Sequence, residues 1–222
     1  MDDDPPSQPV IVTVRSTANG RQRLLSLSDG RELLFSDEAC ERAGIGEGIA
    51  ATVELLHQLE EGEERVVAHS AALRLLSHRA RSETEMRTRL GMRGVAPATI
   101  DYEIERLRQA GLLDDQKFAQ SWVEDRKRFA PRGTRMLRYE LLGRGIDPES
   151  IDNVTAGLDD RELALALARE KASKTKAETY EAFAGRIGGL LRRRGFDYDA
   201  VAYAVRTTWE ERAAAARDAE GE

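Results

Sequence analysis

Three glycines divide most of the chain into units of nearly equal length. Gly94, Gly145 and Gly195 are spaced by 51 and 50 residues. Leu90, Leu141 and Leu191 each stand four residues before one of them, and Val95, Ile146 and Phe196 follow directly. Self-similarity at a period near fifty marks a repeat architecture. A glycine just past a helix end can take the left-handed conformation that closes the helix. With glycine at that place, the leucine and the following apolar residue are the two that clasp in a Schellman ending. Asp147 and Asp197 then stand where a new helix needs its cap, and Pro97 and Pro148 at its first turn. In the third unit Tyr198 replaces the proline. Each unit is therefore expected to contain a helix, a tight turn and a second helix.

The flanking patterns add a further helix to each unit. In the first, Ala72–His78 offers Leu73, Leu75 and Leu76 to a core. Ser82-Glu83-Thr84-Glu85 fits a capping box, and Ile100, Ile104 and Leu107 share one face of a helix that stops near Gly111. The second has Lys117–Arg128 and Arg135–Leu142, with Phe118, Trp122 and Phe129 read as core rather than as a base-stacking platform. The third has Glu162–Ala172, Tyr180–Arg193 and Tyr198 to about Arg212, with a longer polar stretch over 173–178. Asp114-Asp115 and Asp159-Asp160 read as helix caps with acidic first turns, not as catalytic dyads.

Upstream, residues 1–9 read as a disordered leader. Val10–Val14, Leu24–Leu27 and Leu33–Phe35 read as short strands punctuated by Asn19-Gly20 and Asp29-Gly30. Ser36 caps a short helix over Asp37–Ala43 that ends at Gly44. Val53–Leu59 is amphipathic, and the acidic run from Glu60 to Glu64 is either a break or an exposed continuation. The expected fold is mostly α, with three tandem three-helix repeats in a curved array behind a small β-rich segment. Its divisions are 10–64, 65–112, 113–157 and 158–212, with an acidic tail over 213–222.

Net charge is −6 over 222 residues, and the average hides a division. Residues 1–64 carry −9, residues 65–196 carry +7, and residues 197–222 carry −4. A basic middle between acidic ends suggests a polyanion or an acidic protein groove as partner, or else a solvated surface whose signs do not balance. No apolar run reaches the roughly 20 residues of a membrane span. A single cysteine, Cys40, excludes an internal disulfide and suits a reducing cytoplasm. His57, His69 and His78 are scattered, no phosphate-binding glycine loop occurs, and neither catalysis, a metal nor a cofactor is expected.

The densest basic cluster is Arg126, Lys127, Arg128, Arg132, Arg135, Arg138 and Arg144, with Glu140 the only acid between residues 126 and 144. Such a face grips carboxylates or phosphates, or pairs internally with nearby acids. Arg192, Arg193 and Arg194 end a helix, where positive charge is favourable in any case. Arg79 and Arg81 precede the Ser82 cap.

The stretch from Ala72 to Met86 resembles the opening repeat of the RecX family of recombination regulators, as does Gly111-Leu112-Leu113-Asp114-Asp115-Gln116-Lys117-Phe118-Ala119. Arg132 to Leu141, running into Gly145-Ile146, is similar to that family's middle repeat. The likeness covers about residues 68–205 and is looser in the third unit. It implies binding to a RecA recombinase filament, in its helical groove, with inhibition of ATP hydrolysis and strand exchange. It further implies that the basic residues named above, Arg79 and Arg81 included, meet RecA or DNA. Non-specific contact with single- or double-stranded DNA is a second partnership it allows, for a monomeric, non-membrane protein. The rival reading is a helix-turn-helix regulator that places its second helix in a major groove.

Overall fold

A computed structural model of the chain describes residues 8–220. The leader expected over residues 1–9 thus lies almost wholly outside the described residues, as does the very end of the acidic tail. The chain divides into two compact units. One holds residues up to 81 together with 86–113, and the other holds 82–85 together with 114 onward.

In the first unit three antiparallel strands, β1 (Ile11–Ser16), β2 (Gln22–Leu27) and β3 (Glu32–Ser36), form a meander in the order β1-β2-β3. Gly20 and Gly30 take positive φ at its two turns, where the sequence signals stood. Alternation sends Leu25 and Phe35 inward against Cys40 and Leu59. Burial pushes the Cys40 thiol above its ordinary value, so it stays a protonated, inert thiol. Ser36 caps α1 (Asp37–Arg42) by accepting from the Ala39 amide at 3.2 Å.

The acidic run from Glu60 to Glu64 does not break the chain. It lies inside one 26-residue helix, α2 (Val53–His78), so the boundary expected at residue 65 falls within an element. Gly62, which resembles a breaker, stays helical because Ala39 packs against it. A Cβ at Gly62 would lie 3.2 Å from the Ala39 methyl. The far half of α2 joins α3 (Glu83–Gly91) and α4 (Pro97–Gln109) around Ala72, Leu75, Met86, Leu90, Ile100, Ile104 and Leu107. Burying each of the larger side chains contributes about 2 kcal/mol. Leu73 is exposed, and Ala72, three residues before Leu75, takes its core place.

The second unit holds α5 (Asp115–Phe129), α6 (Thr134–Leu142), α7 (Pro148–Thr155), α8 (Asp160–Ala172), α9 (Tyr180–Arg193) and α10 (Tyr198–Glu220). Its two cores centre on Phe118, Leu137, Leu141 and Ile151, and on Phe183, Ile187, Leu191 and Val205. Helix α10 does not stop near Arg212 but runs to Glu220, because Ala213 to Ala216 is a strong helix former.

All three turns close as expected. Gly94, Gly145 and Gly195 have φ of 81°, 77° and 85°. The Val95, Ile146 and Phe196 amides donate to the carbonyls of Leu90, Leu141 and Leu191 at 3.3, 3.2 and 3.3 Å. Each glycine amide donates three residues back, which completes the Schellman pair. Asp147 and Asp197 cap α7 and α10.

A paired clasp recurs twice within the second unit. Ser82 Oγ donates to the Arg144 carbonyl at 2.7 Å. At the equivalent place the Gly133 amide donates to the Arg194 carbonyl at 3.0 Å. One residue on, the Glu83 amide donates to Asp115 Oδ1 at 2.8 Å, and the Thr134 amide to Asp160 Oδ1 at 3.0 Å. The aspartate pairs therefore divide their labour. Asp114 and Asp159 cap their own helices, and Asp115 and Asp160 cap the start of a neighbouring one.

Candidate protein-interaction surface

The basic residues of the second repeat separate into an engaged set and an outward set. Glu140 on α6 is the hub of the first. It accepts from Trp122 Nε1 at 2.9 Å, Arg126 Nε at 2.8 Å and Arg132 Nε at 3.3 Å. Burial alone would raise its pKa. The bonds from Arg126 and Trp122, with the charges of Arg126 and Arg132, outweigh this and hold it below the usual carboxylate range. The Arg144 and Arg126 guanidinium carbons lie 3.7 and 4.3 Å from the Trp122 ring centroid. Arg144 also donates to the Glu140 carbonyl at 2.7 Å and lies 3.8 Å from Glu85. Burial, followed by the nearby charges of Arg132 and Arg126, lowers the Arg194 pKa. Trp122, Arg126, Arg132, Arg144 and Glu140 form a structural knot, and their guanidinium groups are largely committed to it.

Others of the cluster are paired at the rim. Arg138 pairs with Asp152, and Lys127 with Glu124. Arg135 has no ion pair or hydrogen bond among the described residues and is exposed. It shares an outward stripe of α6 with Tyr139, 75% exposed, and Leu142, 53% exposed. These positions are four and seven residues apart, one helix face. Near the C-terminal end of α5, Phe129 is 72% exposed with Arg128 lying 5.0 Å over its ring. Phe129 is therefore not core. The chain leaves the helix at Ala130 and the next helix begins only at Thr134, so the ring stays exposed apart from the Arg128 guanidinium. Linear spacing pairs Phe129 with Phe118 and Trp122, but the helix ends before a partner arrives.

Arg192 and Arg193 are exposed in the last turn of α9. In the first unit Arg79 donates to the Ala80 carbonyl at 2.8 Å, and Arg81 to the Leu75 carbonyl at 3.2 Å. Sequence reasoning passed over Tyr139, inside the middle-repeat stretch of Arg132 to Leu141, and Leu142, which directly follows it. The signal for them was their heptad-like offset from Arg135 on the face opposite the buried Leu137 and Leu141. Among the described residues no group of three or more His, Cys, Asp or Glu is placed to hold a metal ion, and no helix is long and apolar enough to cross a membrane.

Residues 68–107 match the family described as RecX, first three-helix domain, and residues 114–154 match RecX, second three-helix domain. The regulatory protein RecX of Mycolicibacterium vanbaalenii is 37% identical over 139 residues, which cover 59% of this chain and 76% of that protein. The chain belongs to the RecX family. A second regulatory protein RecX, from Chlorobium phaeobacteroides, is 36% identical over 134 residues, 60% of this chain and 88% of that one. Two RecX crystal structures share the fold. One has a TM-score of 0.70 at 17% identity, covering 88% of this chain and 98% of its own. The other, from Lactobacillus salivarius, has a TM-score of 0.58 at 22% identity, covering 65% and 96%. The RecX relatives are regulatory proteins, so the outward face of the second repeat is considered as a surface for a partner.

Proposed function

We propose that this chain binds a RecA recombinase filament and restrains its ATP hydrolysis and strand exchange, contributing binding energy while the partner supplies the catalysis. The cytoplasm is its place of action. Arg79, Arg81 and the outward arginines meet the filament protein, its DNA, or both. The observation that carries this reading is the exposed stripe of Arg135, Tyr139 and Leu142, with Arg128 and Phe129 nearby in sequence. Arginine and tyrosine beside an apolar residue are the composition of a protein-binding hot spot. A phosphate-tracking surface would instead need free cations in number, and here Arg126 and Arg132 bind Glu140 while Arg138 binds Asp152.

The helix-turn-helix rival finds little support. The second helix of the first repeat, α4, buries Ile100, Ile104 and Leu107 and turns Asp101 and Glu105 outward. There Asp101 and Glu105 pair with Arg87 and Arg108, so that face offers the phosphates flanking a major groove no excess of positive charge.

The test is the DNA-dependent ATPase of RecA on single-stranded DNA. Wild-type chain lowers it at substoichiometric amounts. The combined Arg135→Ala, Tyr139→Ala variant needs about thirtyfold more protein for the same effect, as the loss of a hot-spot pair predicts. An unchanged ATPase at stoichiometric excess of wild-type chain sinks the proposal.

A further inference from the structure

Helix α9 turns a low, positively charged face to solvent. Arg186, Arg192 and Arg193 stand on one side of it with Ala182, Gly185 and Gly189, while Phe183, Ile187 and Leu191 fill the opposite side. Nothing lies within 4 Å of a Cβ built at Gly185, and at Gly189 the neighbour is Arg193 Nη1, at 3.4 Å. No other element packs against either glycine, although glycine weakens an exposed helix interior relative to alanine. The two keep the face flat, so nothing taller than a methyl stands among the arginines.

The stretch before α9 extends this face. Arg186 Nη1 donates to the Lys176 carbonyl and holds the 173–178 segment against the helix. Lys174 and Lys176 are exposed there. Lys174, Lys176, Arg186, Arg192 and Arg193 have no ion pair among the described residues. Glu170 is already bound by Lys171 at 2.6 Å, and that bond, ahead of the charges of Lys171, Lys174 and Arg194, holds its carboxyl below the usual range. From 173 to 196 the acids are Glu178 and Glu181, before α9 and in its first turn, away from Arg192 and Arg193.

This surface differs in kind from the α6 stripe. There one free arginine stands with a tyrosine and a leucine. Here five free cations stand together without an aromatic or large apolar anchor. Lysine is depleted at protein–protein interfaces, and a hot spot needs an anchor to bury. Free cations in number fit a regular polyanion instead, whose binding is driven by release of its counterions. The outward face of α9 carries neither asparagine nor glutamine to read a base edge, and no ring on which a base could stack.

We propose that the outward face of α9, with Lys174 and Lys176, binds the phosphodiester backbone of nucleic acid without reading its sequence, while the α6 stripe takes protein. This deepens the filament reading and rests on it for the source of the strand, the DNA that the filament carries.

The full-length chain is titrated, with no RecA present, against fluorescent DNA of two unrelated sequences, each as duplex and as single strand. Anisotropy is read from about 50 to 200 mM salt. The two sequences should bind alike, and affinity should fall steeply with salt. The combined Lys176→Ala, Arg192→Ala, Arg193→Ala variant should flatten the logarithmic salt slope by about 3 and weaken duplex binding about a hundredfold at 0.1 M salt. Gly185→Glu is the second variant, because open space receives its side chain. It should melt no lower than wild type and bind DNA about tenfold more weakly, as a carboxylate set among phosphate contacts predicts. No binding to either form at the lowest salt overturns the proposal and leaves the face to an acidic protein. Binding of one sequence alone overturns it, and so does a triple variant with wild-type affinity and slope. Because RecA is absent, failure here leaves the ATPase test standing, and a failed ATPase test leaves this binding untouched.

Discussion

The turns at Gly195 and Gly94 are the same piece of backbone in different company. Both glycines sit at φ above 80°, and both close a helix with the same pair of amide bonds. Around Gly94 nothing lies within 4 Å of where a Cβ would be. Around Gly195 a Cβ would overlap the Met136 side chain and stand 2.9 Å from the Met136 backbone nitrogen. The first glycine is needed for the turn alone. The second is needed for the turn and for the close approach of α6, whose preceding residue Gly133 binds the Arg194 carbonyl. One local motif thus serves as a simple hairpin at the start of the array and as a docking element further along.

The largest expected effect tests that difference directly. Gly195→Ala must bear the left-handed backbone and displace α6 backbone, at a cost of about 4 kcal/mol in chemical denaturation. Gly145→Ala should cost less, about 2.5 kcal/mol. Its new methyl would meet the Thr84 side chain rather than main chain, and a side chain gives way more cheaply than a helix. If the two variants are equally destabilised, backbone approach is not what sets the Gly195 turn apart.

Charge at the Gly195 turn offers the next test. Arg194 follows the helix end into a neighbourhood shared with Arg126 and Arg132, and Glu140 is the carboxylate those two arginines bind. Glu140→Gln should cost about 2 kcal/mol at neutral pH, since it weakens charge-assisted bonds while the cations remain. Because the folded pKa of Glu140 is depressed, its stabilisation is complete above the unfolded value near 4.3 and is lost as pH falls through the lower folded value. The gap between wild type and Glu140→Gln should therefore close below about pH 4. A gap that is constant from pH 7 to pH 3 would mean the carboxylate charge does not hold the arginines.

Most of this turn chemistry was legible in the chain itself, because a Schellman ending is local. Leu90, Gly94 and Val95 declare it within six residues, and so do their counterparts. The bounds of α9 were legible for the same reason, as Thr179 caps it and Gly195 closes it. What was not legible depends on residues far apart in sequence. The continuity of α2 through Gly62 rests on Ala39, and the engagement of Arg126 rests on Glu140 fourteen residues away. The basic cluster looked like one face because sequence spacing cannot tell a guanidinium bound to a carboxylate from one in water. Arg135, between the paired Arg132 and Arg138, stands outward with Tyr139 and Leu142. Asp115 and Asp160 were read as ordinary first-turn acids, and their service to a neighbouring helix needed the clasp to be seen.

The smallest effect closes the series from the other side. Gly94→Ala carries the cost of a left-handed alanine and no collision, so it should lower stability by about 1 kcal/mol. Because its surroundings are open, the loss should be the same in the wild-type and Gly195→Ala backgrounds, as expected of independent sites. A penalty for Gly94→Ala as large as that for Gly195→Ala would locate the whole cost in the backbone angle. The close packing at Met136 would then contribute nothing measurable, and the turns would be equivalent after all.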